Sequence, residues 1–222
     1  MIEKLVFNWR ELNKIEKICY SIFFLFFAIY ISTLKFRPYP FAYLVKIVPI
    51  ISLAIVAIVN IHGTKGKLIF IGLIFSAVGD VFLAISGKVF FVYGLSAFAL
   101  AHTMYISAFI RNPNIRRSRF LLILIFILYG ISILYILLPN LGKMTLPVIA
   151  YIIVISLMGI SSALGKKNHY LVIIGAILFI VSDSIIAVNM FLSKVWNSSF
   201  WIMITYYPAQ FLITYGSSKI KD

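Results

Sequence analysis

The chain has 222 residues, 63% of them hydrophobic and 12% charged, with a formal net charge of +14. A soluble domain is about 45–50% apolar and about 25% charged, so this composition excludes an ordinary soluble fold and points to a polytopic membrane protein. The positive charge does not read as nucleic-acid binding, because the basic residues sit in short loops between apolar runs and no stacking-plus-basic module accompanies them.

Residues 1–17 mix Glu3, Glu11 and Glu16 with Lys4, Arg10, Lys14 and Lys17. The apolar run after them is too long for the core of a cleavable signal and has no small-residue cleavage site. Eight spans follow, at about 18–34, 41–60, 67–86, 89–110, 119–138, 145–164, 170–191 and 199–217, each near the ~20 residues that cross a bilayer core. Helices are expected, because backbone amides must be satisfied within lipid and the runs lack the alternation of barrel strands. Breaker clusters mark the turns at Arg37-Pro-Tyr-Pro40, Asn112-Pro-Asn-Ile-Arg-Arg-Ser118 and Pro139-Asn-Leu-Gly142. The expected fold class is all-α, a polytopic transmembrane bundle of eight helices forming a single integral membrane domain over 1–222. Fourteen Lys and Arg residues fall on the side of the termini, five on the other, and Lys46 lies inside a span. That bias predicts both termini in the cytoplasm. The membrane is expected to be the inner membrane in a bacterium or the endoplasmic reticulum in a eukaryote.

One stretch occurs twice. Gly72-Leu-Ile-Phe-Ser-Ala-Val-Gly-Asp80-Val-Phe-Leu-Ala in span three matches Gly175-Ala-Ile-Leu-Phe-Ile-Val-Ser-Asp183-Ser-Ile-Ile-Ala in span seven, at an offset of 103 residues. Asp80 and Asp183 are the only acids outside the terminal segments. The chain therefore reads as two parallel four-helix repeats, about 18–110 and 119–217, related by an axis along the membrane normal. Twenty-two residues after Asp80 comes His102, and the same distance after Asp183 comes Thr205, beside Tyr206.

Polar residues in a span are costly and usually face the bundle interior. At ~1.5 Å per residue, Asp80 lies roughly 9 Å inside the outer edge, Asp183 at a similar level and Lys46 roughly 8 Å inside the same edge. His102, Tyr105, Tyr206 and Gln210 lie from about that level downward. Each has two readings. Lys46 either snorkels to the interface or pairs with an aspartate. The aspartates are either working carboxyls or structural groups bonded to Ser76, Ser182, Ser184 or backbone. His102 is a reactive imidazole or a satisfied interior one; Tyr105 and Tyr206 are site groups or packing aromatics; Gln210 is a site group or interhelical glue. Gly72, Ser76 and Gly79 form a small face suited to close helix packing. Trp196, Trp201 and Tyr39 look like interfacial anchors. No metal site or cofactor is expected: a zinc enzyme typically needs three protein ligands, and the single Cys19 with one interior histidine does not supply them.

These residues resemble the YhhN family of membrane lysoplasmalogenases. The resemblance rests on Gly-Leu-x-Phe-Ser-x-x-Gly-Asp80-x-x-Leu, His102-x-x-Tyr105, Gly175-Ala-x-Leu-Phe-x-x-Ser-Asp183-Ser and Tyr206-Tyr207-x-Ala-Gln210. Tyr151 and Met158 in span six also fit. Lys46-Ile-Val-Pro49 matches the family's basic residue in span two, although the family more often has proline directly after that lysine. The resemblance covers about 38–216. It implies hydrolysis of the vinyl ether of a lysoplasmalogen to a fatty aldehyde and glycerophosphocholine or glycerophosphoethanolamine. Asp80 and Asp183 would be the catalytic acid and base in an order left open. Lys46, His102, Tyr105, Tyr151, Tyr206, Tyr207 and Gln210 would bind substrate or shuttle protons, and the alkenyl chain of the lysophospholipid would lie between helices. The residues alone also suit a transporter with a proton-coupled Asp/Lys site, or a non-catalytic lipid-binding protein. Oligomeric state is not legible.

Overall fold

A computed structural model of the protein describes residues 7–37, 39–85, 87–110, 119–165 and 168–219. The turn at 112–118 and the basic residues Lys4, Arg111, Arg116, Arg117, Lys166, Lys167 and Lys221 lie outside the described residues.

The fold is an all-α, multi-pass bundle. Its helices are α1 (Lys14–Thr33), α2 (Ala42–Asn60), α3 (Gly63–Ala84), α4 (Lys88–Phe109), α5 (Phe120–Leu137), α6 (Thr145–Leu164), α7 (Tyr170–Phe191) and α8 (Ser198–Ser218). By length and composition α1 to α7 are each apolar enough to cross a membrane. The sequence suggested eight such spans. α8 is as long, but it carries Thr205, Tyr206, Tyr207, Gln210, Thr214 and Ser217, most of them turned into the bundle.

Two helix starts differ from the sequence reading. α1 begins inside the charged segment because Asn13 and Glu16 form a capping box: the Asn13 side chain accepts from the Glu16 N–H and the Glu16 carboxylate accepts from the Asn13 N–H, both at 2.9 Å. α3 begins at Gly63 and takes in Lys65 and Lys67, so only Ile61 and His62 link it to α2. Gly66 makes that tight corner possible. A Cβ there would fall 1.8 Å from the Ile61 carbonyl oxygen.

Short links make successive helices antiparallel. The most extensive pairings are α3 with α4 and α7 with α8, so each copy of the repeated stretch packs against the helix that follows it. The bundle closes by two further contacts, α4 with α6 and α8 with α2. At the 103-residue offset α2 corresponds to α6 and α4 to α8, so exchanging the halves interconverts these two contacts. α5 sits outside, against α6 and α7, with Leu121, Leu128, Ile131 and Tyr135 exposed. Such a face fits lipid and not water.

The small face of α3 packs directly against side chains of α4. A Cβ on Gly72 would lie 2.4 Å from the Tyr105 ring, and one on Gly79 would lie 2.7 Å from Phe98. Small residues here let α3 and α4 touch, and this fixes the rotation that turns Asp80 and Tyr105 inward.

Candidate active site

Asp80, in the last turns of α3, meets Lys46 from the second turn of α2. Lys46 Nζ lies 2.8 Å from Asp80 Oδ1 and also donates to the Asp80 carbonyl at 3.4 Å. Both are buried, at 6% and 1% exposure. The lysine therefore pairs inside the bundle and does not snorkel. Tyr206 from α8 donates to Asp80 Oδ2 at 2.7 Å. Behind it Gln210 Nε2 donates to Tyr206 Oη at 3.3 Å, and Tyr105 donates to Gln210 Oε1 at 2.7 Å. Each donor in this line points toward Asp80, which accepts at its end.

Asp183, in α7, has a different retinue. Tyr151 from α6 donates to Asp183 Oδ2. His102 Nε2 from α4 lies 3.0 Å from Tyr151 Oη and 3.5 Å from the same carboxylate oxygen. With the phenol proton committed to Asp183, His102 Nε2–H is the donor to Tyr151 in the neutral ring, which leaves Nδ1 bare. Nδ1 is buried and has no hydrogen-bond partner among the described residues. Asp183 is less enclosed than Asp80, its side chain 10% exposed.

The other partners considered from sequence do not hold the aspartates. Ser182 Oγ donates to the Ile202 carbonyl at 3.2 Å. Ser184 Oγ donates to the Ile180 carbonyl and meets Tyr129 Oη. Ser76 Oγ has no partner among the described residues. Tyr207 stands apart from the carboxylates: its hydroxyl donates to the Lys46 carbonyl at 2.9 Å, and its ring packs on Phe27 and Tyr30. It braces the turn of α2 that carries Lys46, next to Pro49, which supplies no N–H to the helix ladder. Met158 is fully buried in the apolar core.

Two spaces meet at these residues. A cavity of about 520 Å³ is lined by Lys46, Asp80, Asp183 and Tyr206, and by Arg37 and Lys88 toward the links that join α1 to α2 and α3 to α4. These links are at the end of the bundle opposite the termini. A narrower cleft between α4, α5, α6 and α7 is lined almost wholly by apolar side chains, among them Leu95, Ile133, Val148 and Ile155. Asp183 lines both spaces, as do Leu83, Phe91, Phe98 and Ile186. Such a junction can hold an amphiphile with its polar end beside the carboxylates and its chain in the cleft.

Sequence reasoning did not single out Tyr30, Arg37, Lys88 or Tyr129 as site residues. Arg37 sits in the proline cluster that marked a turn, and nothing local shows that it folds back over the cavity. No group of three His, Cys, Asp or Glu side chains able to hold a metal occurs among the described residues.

Comparison with known proteins agrees with these motifs. The profile of the YhhN family matches residues 41–217. The chain is 37% identical over 163 residues to the lysoplasmalogenase TMEM86A of Bos taurus, covering 69% of this chain and 66% of that protein. It is 35% identical over 181 residues to the lysoplasmalogenase TMEM86B of Homo sapiens, covering 81% and 76%. It is 32% identical over 170 residues to a lysoplasmalogenase of Mycobacterium tuberculosis (strain CDC 1551 / Oshkosh), covering 74% and 65%. No solved structure matches. With a family profile spanning most of its length and its aspartate, histidine and tyrosine motifs gathered in one interior site, the chain belongs to the YhhN family.

Proposed function

We propose that the protein is a membrane lysoplasmalogenase, which uses Asp80 and Asp183 to hydrolyse the vinyl ether of a lysoplasmalogen. The observation that carries this reading is the placement of both carboxylates on one cavity, with Asp183 at its junction with an apolar cleft. The names of the relatives supply the reaction class.

The chemistry needs a proton donor at the carbon β to the ether oxygen, stabilisation of the oxocarbenium ion that results, and a base for the attacking water. Asp183 is the donor. It faces the cleft where the alkenyl chain lies, and Tyr151 and His102 behind it form a path that resupplies its proton. Protonation of the β-carbon moves the vinyl electrons and leaves positive charge shared between the α-carbon and the ether oxygen. Asp80, held as a carboxylate by Lys46 and Tyr206, stabilises that charge and takes a proton from the water that adds to the α-carbon. The hemiacetal then collapses: its hydroxyl loses a proton, the bond to the glycerol oxygen breaks, and that oxygen leaves protonated. One water is consumed, the products are a fatty aldehyde and the glycerophospho-headgroup, and the proton that Asp80 took from the water passes back through the shared cavity to recharge Asp183 and its Tyr151–His102 relay.

The differing partners of the two aspartates support this division of labour. The rest of the reading is that the two halves are duplicated parallel repeats, that both termini are cytoplasmic, and that the membrane is the inner membrane or the endoplasmic reticulum. The test is aldehyde release from 1-alkenyl-glycerophosphocholine by purified protein in detergent, where no gradient exists. Release supports the hydrolase. Substrate flux in sealed vesicles with no aldehyde would mark a carrier instead.

A further inference from the structure

We infer that the mouth of the cavity is a phosphate site, formed by Arg37 and Lys88, that reads the phosphodiester of a lysophospholipid and leaves the amine beyond it unread. This rests on the lysoplasmalogenase reading of the interior and adds what the enzyme recognises.

The cavity lining holds three cations, Arg37, Lys46 and Lys88, and two carboxylates. Lys46 is committed to Asp80 at 2.8 Å. Among the described residues neither Arg37 nor Lys88 has a carboxylate within ion-pair distance. Two cations thus remain at the entrance with no carboxylate paired to them among the described residues. Arg37 is positioned: its Nη1 donates to Tyr30 Oη at 2.9 Å, and its guanidinium stands 5.8 Å from the centre of the Tyr30 ring. Only one N–H of the fork is used in that bond, and a guanidinium fork matches phosphate oxygens in pairs. Lys88 is the first residue of α4, where the helix end adds positive potential.

The placement suits the order of groups in the substrate. In a 1-alkenyl lysolipid the phosphate lies one glycerol length from the vinyl ether, and the two cations line the same cavity as Asp80 and Asp183, from the α1–α2 link and the start of α4. Among the described residues, none at the mouth is built for the amine. Recognition of a quaternary ammonium uses an aromatic cage or a free carboxylate. Here Asp80 is taken by Lys46, Asp183 accepts from Tyr151 where the cavity meets the cleft, and Tyr30 already carries Arg37. Choline and ethanolamine lipids are therefore handled alike, and a phosphate-free alkenylglycerol is bound poorly.

The experiment measures binding of saturated, unhydrolysable probes to the full chain in detergent micelles: 1-O-alkyl-glycerophosphocholine, 1-O-alkyl-glycerophosphoethanolamine and 1-O-alkylglycerol. The two phosphate probes should bind within about twofold of each other, and alkylglycerol roughly tenfold or more weakly. Arg37→Gln should bring both phosphate probes down to the alkylglycerol level and leave alkylglycerol unchanged. Arg37→Lys should fall between. Tyr30→Phe keeps the charge and should change affinity by about threefold at most, which separates loss of the cation from loss of its brace. Size-exclusion profiles establish that each variant is folded. Equal binding of all three probes, or folded Arg37→Gln and Lys88→Gln variants with wild-type affinity, overturns the phosphate site. Aldehyde release from the alkenyl lipid is read in parallel. Phosphate-dependent binding without release leaves this site standing and removes the hydrolase reading; release with phosphate-independent binding does the reverse.

Discussion

Asp80 and Asp183 take their partners from helices that exchange places when the two halves are swapped. Asp80 has Lys46 from α2 and Tyr206 from α8; Asp183 has Tyr151 from α6 and His102 from α4. The helices correspond and the residues do not: at the 103-residue offset Lys46 falls on Ile149, two residues before Tyr151, and His102 on Thr205, beside Tyr206. One carboxylate is clamped by an ammonium and a phenol, the other by a phenol backed by an imidazole. This difference in partners is what the proposed division into acid and base rests on.

The Lys46–Asp80 pair makes the sharpest stability prediction. Lys46→Met leaves a buried carboxylate without its cation, at a cost of about 3–5 kcal/mol. Adding Asp80→Asn removes that charge, so the double variant should unfold at a higher temperature than Lys46→Met alone while releasing no aldehyde. Thermal unfolding in detergent, followed beside the activity assay, checks both parts.

Tyr151 and Tyr207 separate a proton path from a brace. Tyr151→Phe cuts the link between His102 and Asp183 and should lower kcat about 10²-fold. Tyr207→Phe loses one hydrogen bond to the Lys46 carbonyl, worth about 1 kcal/mol of stability, and should leave kcat within a few fold. Steady-state rates and melting temperatures of the two variants give the comparison.

Gly72 and Gly130 both lie within helices, yet substitution should affect them oppositely. An alanine Cβ at Gly72 would meet the Tyr105 ring at 2.4 Å, between two helices that cannot part, and should cost about 1–3 kcal/mol and disturb the Tyr105–Gln210 bond. At Gly130 the nearest atom is the rotatable Ser156 Oγ at 2.6 Å, so alanine should be neutral or gain up to about 1 kcal/mol of helix propensity. Unfolding temperatures of the two variants decide this.

Topology is checked by reporters fused to each terminus and to the link between α3 and α4. The Lys and Arg bias predicts cytoplasmic signals from both termini and the opposite signal from the link. A cytoplasmic signal from the link would invert the bundle and place the cavity mouth on the inner side.

The site was legible in sequence to the extent that depth and spacing determine it. Apolar length located all the helices, and counting residues along them put Lys46, Asp80 and Asp183 at one level. Helix rotation was not legible. The count left Lys46 free to snorkel and allowed the serines near each aspartate to be its partners; close contact of α3 with α4 turned Tyr105 and Asp80 inward instead. The starts of α1 and α3 were missed because charged residues there read as loop, although Asn13 and Glu16 carried a capping signal that could have been recognised. Arg37 was hidden for a plainer reason: depth arithmetic follows a helix and says nothing of a link folding over a cavity.

The most direct measurement is aldehyde release from 1-alkenyl-glycerophosphocholine by wild type, Asp80→Asn and Asp183→Asn, each shown to be folded. The account predicts release by the wild type without any gradient, and a fall of about 10²–10⁴-fold in each variant. Near wild-type release by either folded variant contradicts a shared site in which both aspartates act.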